Sequence, residues 1–83
     1  MKGVITDINI KKGMVSVQTE SEDFSIFEIL GDDNFEIGDE VEWIEEQPLG
    51  GSKITNFTQN ETSDVFFQNH WVSLANLKKQ LLY

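Results

Sequence analysis

The chain has no cysteine and no arginine, a single histidine and a single proline, and no apolar run approaching the length of a membrane span. Without cysteine there can be neither a disulfide nor a thiolate metal site, and no redox compartment can be read from the sequence. Without arginine the planar fork that grips phosphates and base edges is missing, and the six lysines offer only flexible point charges. His70 has no second histidine and no cysteine to pair with, so it builds neither a metal-ligand set nor a nucleophile and base. No segment reaches the roughly 18 apolar residues of a membrane span. The first ten residues include Lys2, Thr6, Asp7 and Asn9, which is unlike a signal peptide. A cytoplasmic protein with no membrane partner is therefore expected, and the sequons at Asn56 and Asn60 are expected to stay unmodified.

What the chain has in excess is acid. Its 83 residues carry 15 Asp and Glu against six Lys, a formal net charge of −9. From Glu20 to Glu46, 12 of 27 residues are acidic and none is basic. Such a balance favours solubility and disfavours adhesion to nucleic acid or anionic membrane. The acid does not form a calcium loop: an EF-hand starting at Asp32 needs Gly at its sixth position and Glu at its twelfth, where this chain has Ile37 and Trp43. No glycine-rich phosphate loop and no serine elbow is present, so no catalytic residue, metal or cofactor is assigned. The length allows one domain with one modest core.

Patterning gives five β-like segments and one helix. Residues 4–10 are rich in β-branched side chains, with Val4, Ile8 and Ile10 in one phase. The turn at Lys11-Lys12-Gly13 leads to residues 14–19, where Val15 and Val17 alternate with polar neighbours, so the two runs predict a hairpin. Residues 24–30 place apolar side chains in both phases, as in a strand covered on both faces. Residues 41–45 put Val41 and Trp43 in phase towards the core, Gln47 to Gly51 reads as a turn, and residues 53–58 form the fifth strand. Residues 59–69 read as a linker that becomes apolar at Val65-Phe66-Phe67. From residue 70 to 83, Val72, Leu74, Ala75, Leu77 and Leu81 recur at three- and four-residue spacing and predict an amphipathic helix.

Several of these segments together resemble a cold-shock domain, a five-stranded OB-fold barrel. They are Lys2-Gly3-Val4-Ile5, then Lys12-Gly13 before a strand, then Phe35-Glu36-Ile37-Gly38-Asp39-Glu40-Val41-Glu42-Trp43, and finally Gly51-Ser52-Lys53-Ile54-Thr55-Asn56-Phe57-Thr58. The resemblance covers about residues 1–58 and implies a barrel that binds single-stranded RNA or DNA by stacking bases on aromatics over a basic surface. Met14 and Ser16 stand where the family carries aromatics, and the third strand keeps only Phe24 and Phe27.

The expected architecture is therefore mainly β: a five-stranded OB-fold barrel over 1–58, a linker over 59–69, and a carboxy-terminal helix over 70–83 packed on the barrel or on a partner. The expected function is a small acidic, non-catalytic binding module whose partner is a protein, a basic one matching its charge. That surface would use Glu36, Asp39, Glu40 and Glu42, with Trp71, Leu74, Leu77, Leu81 and Tyr83 from the tail. One alternative is a single-stranded nucleic-acid binder using Lys2, Lys11, Lys12 and Lys53 around Phe24 and Phe27. A second is a structural protein that dimerises through the helix.

Overall fold

The computed structural model describes residues 1–31, 34–44, 50–72 and Asn76. These residues form six strands: β1 (Lys2–Asn9), β2 (Met14–Thr19), β3 (Phe24–Ile29), β4 (Glu40–Glu42), β5 (Gly50–Asn56) and β6 (Glu61–Val72). The strands close into a barrel in the order β1-β2-β3-β6-β5-β4, and every neighbouring pair is antiparallel. The chain thus runs as two three-stranded meanders. The crossing from β3 to β4 lays β4 beside β1, giving the 4-1-2-3 arrangement of a Greek key.

This overturns the expected five-stranded barrel with an added helix. Among the described residues there is no helical element, and the stretch read as a linker and helix start is the twelve-residue strand β6. Its inward residues are Ser63, Val65 and Phe67, and its outward ones Asp64, Phe66 and Gln68. That is the period-2 alternation of a strand. A small polar residue faces in and a large aromatic faces out, so the alternation is hidden in the sequence. Leu74, Leu77, Leu81 and Tyr83 lie outside the described residues.

Two further expectations change for local reasons. In β1 the inward residues are Ile5 and Ile8, whereas Val4 is exposed, and Ile10 lies exposed in the turn just after the strand. The ladder to β2 shifts between Ile5 and Asp7, so Thr6 is an extra residue and the phase flips across it. Gly50 and Gly51 belong to β5, paired with Phe67 and Phe66 respectively. Gly50 has φ 84°, and the Phe66 ring lies over the space beside it. An aromatic across the ladder covers the glycine backbone that would otherwise leave the sheet thin.

The interior is filled by Ile5, Val15, Val17, Phe27, Phe35, Val41, Trp43, Ile54, Val65 and Phe67. Phe67 is central to its aromatic part: its ring lies 5.7 Å from Phe27 and 5.1 Å from Trp43, with Phe35 edge-on to Phe27 at 5.3 Å. Such tilted pairs add to area burial because ring edges meet ring faces. Backbone bonds from Trp43 N to Met1 O (3.0 Å) and from Met1 N to Trp43 O (2.8 Å) continue the short β1–β4 ladder past Lys2 and Glu42. A second, smaller cluster of Phe24, Ile26 and Val72, with Met14 against it, is buried on the outward face of β2 and β3. The two-sided apolar pattern read in residues 24–30 is thus what β3 shows.

Gly3 sets how closely β1 approaches β2. A Cβ there would collide with Val17 Cγ1 and sit 2.7 Å from the Gln18 carbonyl oxygen, an atom of the ladder itself. Gly3→Ala is expected to lower stability by about 1–3 kcal/mol through overpacking. Phe67→Ala, which empties the aromatic centre, is expected to lose about 3–5 kcal/mol. Urea unfolding followed by tryptophan fluorescence reads both as shifts of the midpoint. Unchanged midpoints would contradict the closeness of the β1–β2 contact and the central place of Phe67.

Candidate docking groove

The residues singled out in the sequence do not form one surface. Phe27 has no exposed area and sits in the interior, and Phe24 is buried in the outer cluster, so neither presents a ring face to a base. Lys2 opens β1, while Lys11 and Lys12 lie in the turn after it, roughly 25 Å along the strand at 3.3 Å per residue. Lys2 Nζ stands 3.8 Å from Glu42 Oε2, and Lys53 Nζ 2.9 Å from Asp64 Oδ1. Both pairs are solvent-exposed, which limits their contribution to stability, but they offset two of the cations a phosphate would need.

The four carboxylates expected on an acidic face also separate. Glu36 and Glu40 are exposed and Glu42 is half-buried beside Lys2. Asp39 is only 2% exposed. Its Oδ2 accepts from Glu36 N (2.9 Å), Asn56 Nδ2 (2.8 Å) and Gln59 Nε2 (3.4 Å). Asn56 Oδ1 in turn accepts from Gln59 N at 3.0 Å. Asp39 therefore ties the turn before β4 to the β5–β6 turn and is not available to a partner. Trp71 lies in β6.

Sequence reasoning missed a contact between Ser25 Oγ and His70 Nδ1 at 2.8 Å, with the imidazole stacked on Phe67. Ser25 is 2% exposed, so the pair pins β3 to β6 rather than facing a substrate. Among the described residues no three His, Asp or Glu side chains are grouped to hold a metal ion, and no helix is long and apolar enough to cross a membrane.

One surface that combines exposed apolar area with an excess of acid is a groove of about 630 Å³ at the β1–β4 seam. Pairing puts Gln18, Val4 and Glu40 in one outward row across β2, β1 and β4, and Phe57 follows, its N bonded to Glu40 O at 2.8 Å. The neighbouring row is Glu20, Lys2 and Glu42, with Lys2 N donating to Glu20 Oε1 at 2.9 Å. Val4 is 42% exposed and Phe57 55%. Glu22 joins the rim from the turn after β2, where its φ is 69° and its N bonds Thr19 O. Two apolar side chains thus lie among Glu20, Glu22 and Glu40, with Lys2 already engaged by Glu42. A second groove, about 640 Å³, is spanned by the Lys53–Asp64 pair and has balanced charge.

The groove was not legible in the sequence because Val4 reads as core unless the bulge at Thr6 is known, and Phe57 reads as strand although it begins a turn. Asp39→Ala strands the donors of Asn56 and Gln59 and frees the Glu36 turn. It is expected to lose about 2–3 kcal/mol in urea unfolding, while Glu36→Ala, at an exposed side chain, stays within about 0.5 kcal/mol. Equal effects would contradict the separation of the two carboxylates. No family model matches the chain, and neither a curated protein nor a solved structure matches it. What the groove does follows from its own geometry.

Proposed function

We propose that the chain is a small, non-catalytic binding module whose partner is a basic protein segment. The observation that supports it is the groove at the β1–β4 seam, where exposed Val4 and Phe57 are rimmed by Glu20, Glu22 and Glu40. Exposed apolar area supplies affinity through burial, and the surrounding carboxylates select the sign of the partner. A net charge of −9 extends the same field over the molecule and steers a cationic partner towards it. The same field repels phosphate, which ranks single-stranded nucleic acid below protein as the ligand.

The test is a pair of titrations at low ionic strength. A labelled lysine-rich peptide is expected to bind in the micromolar range and to weaken as salt is raised, because exposed charges are screened within about 10 Å at 0.1 M. Labelled mixed-sequence single-stranded DNA and RNA are expected not to bind in the same range. Micromolar nucleic-acid binding that falls steeply with salt would reverse the order of the two ligands, and failure of every basic peptide would remove the proposed function.

A further inference from the structure

We infer that the β1–β4 groove takes an extended peptide in which an apolar side chain is flanked, two residues away on each side, by Lys or Arg, and that Phe57 is its anchor. The inference rests on the proposed function and narrows it to one surface and one sequence pattern.

The grid of outward residues sets the pattern. Across the strands the order is Gln18, Val4, Glu40 and Phe57, with Glu20, Lys2 and Glu42 alongside. Strands lie about 4.8 Å apart, so Val4 and Phe57 are separated by roughly 10 Å with Glu40 between them. In an extended chain, residues i and i+2 face the same way, roughly 7 Å apart. An apolar residue seated on Val4 has Glu40 on its β4 side and Glu20 with Glu22 on its β2 side, so its i+2 and i−2 neighbours approach those carboxylates, with Phe57 beyond Glu40 closing the groove over it.

The barrel closes on itself, so β1 and β4 already use their backbone groups on each other and on β2 and β5. A partner cannot add a strand there, and recognition must come through side chains. This makes the identity of the ligand's side chains decisive, in contrast to binding modes where a free sheet edge supplies affinity through main-chain bonds. A second copy of the chain is the wrong occupant: a two-fold contact would set Glu20, Glu22 and Glu40 against their own equivalents.

The experiment uses the full chain and three fluorescein-labelled heptapeptides followed by anisotropy: a lysine–leucine peptide with a central leucine and a lysine two residues to each side, a lysine–serine peptide with serine in place of that leucine, and a glutamate–leucine peptide with glutamate in place of both lysines. The lysine–leucine peptide is expected to bind about tenfold tighter than the lysine–serine peptide, and the glutamate–leucine peptide not at all. Phe57→Ala is expected to bring the lysine–leucine peptide down to the lysine–serine level and to leave the lysine–serine peptide unchanged. Val4→Thr, isosteric and exposed, is expected to act in the same direction. Glu40→Gln is expected to weaken both lysine peptides by a few fold, whereas Ile10→Ala, at an exposed apolar residue in the β1–β2 turn, changes neither.

Thermal melts confirm that each variant is folded. If the lysine peptides bind but respond to none of the groove variants, or if leucine and serine peptides bind equally, this site and pattern are overturned while a basic partner elsewhere on the surface stands. If neither lysine peptide binds the unaltered chain, both the site and the proposed function fall. A dimer seen by light scattering that Phe57→Ala dissolves would make a second copy the occupant and overturn the inference.

Discussion

The barrel depends on β6 closing it. The two meanders meet at two seams, β1 with β4 and β3 with β6, and the first is only three residue pairs long. Closure therefore rests on the second, where β6 pairs with β5 through Glu61–Phe67 and with β3 through Val65–Val72. Twelve residues at 3.3 Å would extend roughly 36 Å, more than the 31 Å long axis of the molecule. The register shifts beside Ile26 mark where the strand bends. Phe67 sits on the inner side of this bend against Phe27 and Trp43, with His70 stacked on it and bonded to Ser25. An open sheet would leave two unpaired edges, and this aromatic seam removes them.

The short seam has the opposite consequence. Because β4 ends after Glu42, little of the sheet covers that side of the barrel, and the turn after β5 brings Phe57 next to Glu40. The groove is thus a by-product of unequal seams: the long one consumes large apolar side chains inside, and the short one leaves two of them exposed outside. Val4 is outward only because Thr6 is bulged, so one extra residue in β1 both fills the core with Ile5 and Ile8 and places Val4 beside Glu40.

Legibility followed the clarity of alternation. The β1–β2 hairpin, the two-faced β3 and the inward phase of Val41 and Trp43 were readable because β-branched and aromatic residues mark them. β6 was not, since its inward row begins with Ser63 and its outward row includes Phe66, and because Val72 also fits a three- and four-residue spacing with the leucines after it. The stretch likened to a complete five-stranded barrel, 1–58, lacks the strand that joins β3 to β5. Acid was legible as composition but not as location. One carboxylate of the series, Asp39, is buried and accepts three hydrogen bonds, while Glu20 and Glu22 reach the groove from a turn. No periodicity separates these roles, because they depend on which turns meet across the barrel.

Met14 and Ser16, the positions at which the resemblance implied aromatics, are both engaged on the outward face of β2. Met14 packs against Phe24, Ile26 and Val72, and Ser16 is buried with its hydroxyl 2.8 Å from that of Thr6. A ligand approaching β2 and β3 from outside would have to displace packed apolar side chains, with Ile26 fully buried among them. Their burial stabilises a domain with little core to spare. Exposed Val4 and Phe57 lie instead at the seam where the sheet is shortest, among carboxylates. The proposed preference for a cationic chain rests on this arrangement: the outward face of β2 and β3 is closed by packing, and the open groove is rimmed with acid that would repel phosphates.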